Sequence, residues 1–159
     1  MSRDGLNIDI HVWDSKSPDG VTLYFTLGGS GFPRAGFAPT KRLELVTGFD
    51  PPTDTVDKAL ASSIQYAISD KPVAGGHTIT LPEPLWPGSE MRSFLFIESG
   101  DYEPLYLRKE VVVSFLMAIP IFHEEIEHLR RVGEDAFLDS WEKASVPYWD
   151  PHRRPYVGT

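Results

Sequence analysis

The sequence predicts a single α+β domain, a mixed β-sheet packed with about three α-helices, and three kinds of pattern predict it. Two stretches alternate polar and apolar residues with a strand's period, two more are nearly continuous apolar runs, and three carry amphipathic-helix spacing.

In "NIDIHVW", Ile8, Ile10 and Val12 alternate with Asn7, Asp9 and His11. In "VTLYFTL", Val21, Leu23, Phe25 and Leu27 alternate with Thr22, Tyr24 and Thr26. Each reads as a half-buried strand with its apolar set inward. Between them Pro18, Asp19 and Gly20 supply turn dihedrals. "GGSGFPRAGFAP" is a loop by its Gly and Pro content, and "RLELV" a third short strand. From Thr53 onward Val56, Leu60, Ile64 and Ala67 form one stripe, with Asp57, Lys58, Ala61 and Gln65 turned away. That spacing predicts a helix near 54–69, capped by Asp54 or Thr55 and stopped before Pro72. "PVAGGHTITLPEPLWPGSE", with four prolines and three glycines, is loop with at most a short strand. "MRSFLFI" and "EVVVSFLMAIPI" suit strands covered on both faces, with Val111 to Ile119 central in the sheet. Pro120 ends the last of these, and helices near 123–132 and 134–144 follow, the first packing through Phe122, Ile126 and Leu129.

Composition limits what this domain can do. With 159 residues, 41% hydrophobic and 12% aromatic, the chain has material for one core over 1–159, with 145–159 as an aromatic, Pro-rich tail. No apolar run approaches the roughly 18 to 20 residues of a membrane-spanning helix. The opening "MSRDGLNIDIHVWDS" has acids where a signal peptide would be apolar, so the expected location is cytoplasmic. Zero cysteines exclude disulfides and thiolate metal sites. A net charge of −8 disfavours nucleic acid and suits a basic partner.

The histidines and glutamates of "HEEIEHLRR" (123–131) suggest a metal centre, but their spacing argues against one. His123 and His128 are five apart. At about 100° per residue they point roughly 140° away from each other. The zinc-protease helix needs histidines four apart, and the Glu125, His128 pair lacks the second such pair of a di-iron bundle. The bland reading is a solvated face with i,i+4 pairs Glu124 with His128 and Glu127 with Arg131. Other motifs fail in the same way. "GGSG" at 28–31 lacks the Gly-Lys-Ser/Thr of a phosphate loop and reads as a turn. Ser30, Ser63, Ser89 and Ser114 stand outside any Gly-x-Ser-x-Gly elbow. No catalytic, cofactor-binding or metal-binding residue is assigned. Tyr148, Trp149 and Tyr156 with Arg153 and Arg154 read as a strap over the domain's own surface rather than a stacking platform.

The order of features resembles the suppressor of fused domain family over about residues 20 to 145. The features are the strand end Thr26 to Ser30, the strand Glu44 to Thr47, and Pro51 and Pro52 ahead of a helix. They continue with the loop Gly76 to Ile79 and the run Val111 to Glu125. Phe122 departs from the pattern, standing where members often have a Thr or Ser helix cap. What the resemblance implies is a binding protein. Animal members restrain a transcription factor with the help of a second domain, and small bacterial members are similar to immunity proteins that neutralise a co-encoded polymorphic toxin. The expectation is therefore a non-enzymatic, cofactor-free immunity protein that occludes a basic toxin. The alternative is an adaptor that captures an extended peptide by β-strand addition. From Phe122 to Ala144 seven acids face three bases, a net −4 and half the chain's −8. Glu124, Glu127, Arg131, Glu134, Asp135 and Asp139 are accordingly the expected partner contacts.

Overall fold

The computed structural model describes residues 6–14, 20–53, 55–108 and 110–158. Among the described residues there are seven strands: β1 (Asp9–Asp14), β2 (Thr22–Leu27), β3 (Lys41–Phe49), β4 (Thr78–Thr80), β5 (Ser93–Glu98), β6 (Leu105–Tyr106) and β7 (Val112–Ile121). Three α-helices join them: α1 (Asp57–Ser69), α2 (His123–Val132) and α3 (Glu134–Lys143). The strands form one sheet in the order β1-β2-β3-β7-β5-β4, with β6 added beside β7. The sheet is mixed, since β3 and β7 run parallel while the other pairs are antiparallel. This is the α+β architecture that the patterning predicts, with β7 in the middle.

The sheet separates two cores. On one face α1 lays Val56, Leu60, Ile64 and Ala67 on Leu43, Leu45, Phe49, Phe94 and Phe96, so the helical stripe read from the sequence is the buried one. On the other face α2 and α3 set Ile126, Leu129, Phe137 and Trp141 over Leu95, Ile119 and Ile121. Gly133, at φ 87, turns the chain between these two helices in a conformation that favours glycine.

Several boundaries and faces differ from expectation. In β2 the buried residues are Thr22, Tyr24 and Thr26, while Val21, Leu23 and Phe25 are half-buried and Leu27 is 50% exposed. Polarity mispredicts this face because its polar atoms are satisfied inside. The Tyr24 hydroxyl accepts the Thr53 N–H at 3.1 Å, its ring meets Phe49 edge-on, and Thr26 Oγ1 donates to Glu44 and accepts from Leu45 N–H. In β1, Ile8 and Ile10 lean on the first core but Val12 is 51% exposed, because it lines an open cleft between this edge strand and the start of α1, with Asp57, Lys58 and Ala61. Helix α1 begins at Asp57, with Val56 at its N-cap and no side-chain cap there, so Thr55 does not cap it; Asp54 and the turn residues Pro18 and Asp19 lie outside the described residues. Strand β7 runs through Pro120 to Ile121. Pro120 is tolerated because pairing with β3 stops at Val46 and Met117. Its carbonyl points away from β5 and accepts Arg153 Nη2–H at 2.8 Å, so the missing N–H on that side breaks no ladder bond. Phe115 is half-buried, so β7 is not covered on both faces along its whole length.

Candidate functional site

The acidic end of the molecule is built from α2 and α3. Glu125, third in α2, accepts the Phe122 N–H at 2.8 Å, which caps the helix without the Thr or Ser hydroxyl that Phe122 lacks. Glu124 and Glu125 open α2 and Glu134 and Asp135 open α3, where the helix dipole favours negative charge. The large apolar residues Ile126, Leu129, Phe137 and Trp141 point at the sheet, and most of the charges of both helices point away. Glu124, Glu127 and Arg131 recur at helical spacing on the exposed side of α2, and Asp135 and Asp139 on that of α3. Glu134 is not part of that surface. It is half-buried, and its carboxylate lies against Gly76, where an added Cβ would collide with it.

The pairing on α2 also departs from expectation. His123 Nε2 lies 3.6 Å from Glu127 Oε1, and Arg131 Nη2 lies 2.9 Å from His128 Nδ1. The His128 ring packs on Phe137 at 5.7 Å, which turns it toward α3 and away from Glu124, and Arg131 follows it rather than Glu127. Among the described residues no three His, Asp or Glu side chains gather as metal ligands.

Two buried carboxylates escaped the sequence reading. Glu44, 3% exposed, accepts N–H groups of Gly28 at 3.1 Å and Ser30 at 2.8 Å and the Thr26 hydroxyl at 2.5 Å. The glycine loop that resembles a phosphate cradle is thus filled by the chain's own anion. Glu125, fully buried, pairs with Arg153 of the tail through Nη1 at 2.6 Å and Nη2 at 2.9 Å, and accepts the Tyr156 N–H at 2.8 Å. The guanidinium also lies over Trp141 at 4.7 Å and Phe122 at 5.1 Å. The only signal for this pair was a Glu three residues after the helix cap and an Arg in a Pro-rich tail.

The tail so anchored forms one wall of a groove. Past Val46 and Met117, β3 and β7 part and leave a cavity of about 560 Å³. Its floor is Val21, Leu23, Gly48, Met117, Ile119 and Pro120. Tyr102, Tyr148 and Trp149 stand over it, the Trp149 carbonyl accepting the Asp50 N–H at 3.0 Å. The Tyr102 ring meets Phe25 edge-on at 5.9 Å. Burial, then Asp101 and Tyr148, hold the Tyr102 phenol above its ordinary pKa. A second open feature is the outer edge of β1, where Val12 is 51% and Trp13 60% exposed and no described strand pairs beyond it.

Comparison with known proteins agrees with the geometry. A family model described as Suppressor of fused protein (SUFU) matches residues 4–154. Among solved structures, the chain is similar to a putative SUFU homologue from Neisseria gonorrhoeae FA 1090 at 18% identity and a TM-score of 0.65, covering 94% of this chain and 78% of that one. It is similar to the Sufu–Fu complex at 14% identity and a TM-score of 0.69, covering 94% and 76%. It is also similar to Drosophila Suppressor of Fused at 13% identity and a TM-score of 0.66, covering 94% and 42%. No curated protein sequence matches the chain.

Proposed function

We propose, from the premise that this chain belongs to the suppressor of fused family, that it is a non-catalytic binding domain of the cytoplasm acting as an immunity protein: it neutralises a co-encoded toxin by covering it. A structural relative was crystallised as a Sufu–Fu complex, which supports protein binding as the family's mode of action. The observation that carries the reading is the outward display of Glu124, Glu127, Asp135 and Asp139 on α2 and α3, on a chain of net charge −8. Such a surface steers a basic protein into contact and rejects an acidic one.

The test is co-expression with the toxin domain encoded beside it. This chain should restore growth and co-purify with that domain. Reversing Glu127 and Asp139 to Lys should slow association about tenfold while the dissociation rate changes little, since exposed rim charges act mainly through steering. Raising salt should slow wild-type association too. Growth that is not restored would sink the immunity reading, and an association rate indifferent to both charge and salt would move the contact elsewhere.

The exposed edge of β1 favours a second reading, an adaptor that adds a partner's extended segment as a further strand. His11→Lys with Trp13→Lys places charges of the kind that guard natural edges. Under this reading the double variant keeps its fold and loses the partner.

A further inference from the structure

We infer that the groove between the parting ends of β3 and β7 is a docking site for an extended segment of a protein partner, one that sets an apolar side chain on the groove floor and a lysine or arginine beside Asp101. The inference rests on the reading that this chain binds proteins, and it specifies a surface distinct from both the acidic helices and the β1 edge.

Three observations lead to it. First, the groove is a built feature of the sheet. Pairing between β3 and β7 ends at Val46 and Met117, yet both strands continue, to Phe49 and Ile121. The space between them is held open by the tail, itself pinned by Arg153 on buried Glu125. At about 560 Å³ the space falls within the range of ligand sites, roughly 300 to 1,000 Å³. Second, its walls have the composition of a recognition surface. Tyr148 and Trp149, packed edge-on at 5.0 Å, remain 39% and 38% exposed after folding, so large aromatic area is left for a partner to cover. Third, its charge has one sign. Asp101 lines it, Asp50 is bonded through its amide to the Trp149 carbonyl at the same wall, and among the described residues that line it there is no lysine or arginine. Arg153, in the tail that forms this wall, is committed to Glu125. An apolar floor beside a carboxylate with no counter-ion among the described residues fits an apolar residue next to a cation, and disfavours the same residue next to an acid.

The groove also explains the inverted strand. Val21 and Leu23 are half-buried on the face away from α1 because they belong to this floor, so their apolar character belongs to an open surface rather than to the core.

The experiment uses the full chain, labelled for amide NMR, and two tetrapeptides: acetyl-Gly-Phe-Lys-Gly amide and acetyl-Gly-Phe-Glu-Gly amide. The lysine peptide should shift Gly48, Ala118, Tyr102 and the Trp149 indole. It should bind about two- to fivefold more tightly than the glutamate peptide, the increment of an exposed ion pair. Asp101→Asn should abolish that preference, and Trp149→Ala should weaken both peptides about tenfold. Both substituted residues are exposed, and folding of each variant is read from its own spectrum. Shifts confined to α2 and α3 or to β1, or no shifts with peptide at about 10 mM, overturn the groove and leave the immunity reading to its own growth assay. Groove shifts with equal affinity for both peptides overturn the assignment of a cationic neighbour. Failure of the growth assay with groove binding intact sinks the toxin and keeps the groove.

Discussion

Glu125 and Arg153 form a costly arrangement, two charges with side chains 0% and 1% exposed. Desolvation of such a pair is repaid only with near-complete hydrogen bonding. Here the carboxylate accepts from Arg153, Phe122 N–H and Tyr156 N–H, and the guanidinium donates also to the Pro120 carbonyl. Removing one partner strands the other. Arg153→Met should therefore cost about 3 to 5 kcal/mol in urea unfolding. Glu125→Leu combined with Arg153→Met should recover part of that loss, and equal losses for the single and double variants would show that the charge itself is not what matters. Tyr102 gives a titration at the same scale. Its phenol is held above the ordinary value of 10.0 mainly by burial, so the folded state favours the neutral form. Stability from this source is fully present below 10 and is lost as pH rises through the higher folded value. Tyr102→Phe should remove that part of the alkaline loss, read as a shallower fall in melting temperature above pH 10.

At the level of elements, what the sequence revealed and what it hid divide by physical cause. The three helices were legible because each stripe, such as Val56, Leu60, Ile64 and Ala67, meets the core on its own face of the sheet, so periodicity and burial agree. Central β7 was legible from its apolar run. The buried face of β2 was not, because Tyr24 and Thr26 carry polar atoms that find partners inside and Leu23 is apolar yet faces a groove. Short β6 has only Leu105 and Tyr106, 53% and 78% exposed, and no period can be read from two residues. Of the candidate site, the exposure of Glu124, Glu127, Arg131, Asp135 and Asp139 followed from helix periodicity. The inward lean of Glu134 and the groove followed from tertiary contacts that sequence spacing does not encode. A paired substitution probes this. Phe94→Ala, at a fully buried position, should cost about 3 to 5 kcal/mol. Phe115→Ala, half-buried, should cost less than half as much, and equal costs would mean that the open face of the sheet is covered in solution.

For the molecule as a whole, the described residues present an acidic helical surface, an aromatic-walled groove and an open sheet edge. A chelator should leave the melting temperature unchanged, since a folded-state metal would add RT ln(1 + [L]/Kd) to stability. A fall with chelator that zinc or iron reverses would overturn this. The tail's anchorage has a further consequence, in the order of biosynthesis. Arg153 lies 28 residues after Glu125, a delay of about 1 to 6 s at about 5 to 20 residues per second on the ribosome. Throughout that interval Glu125 is without its counter-ion, and the wall carrying Tyr148 and Trp149 has no anchor. A nascent chain thus carries the residues of its sheet and α1 before those of the groove's tail wall, and a partner that needs that wall meets only molecules whose tail has already been made.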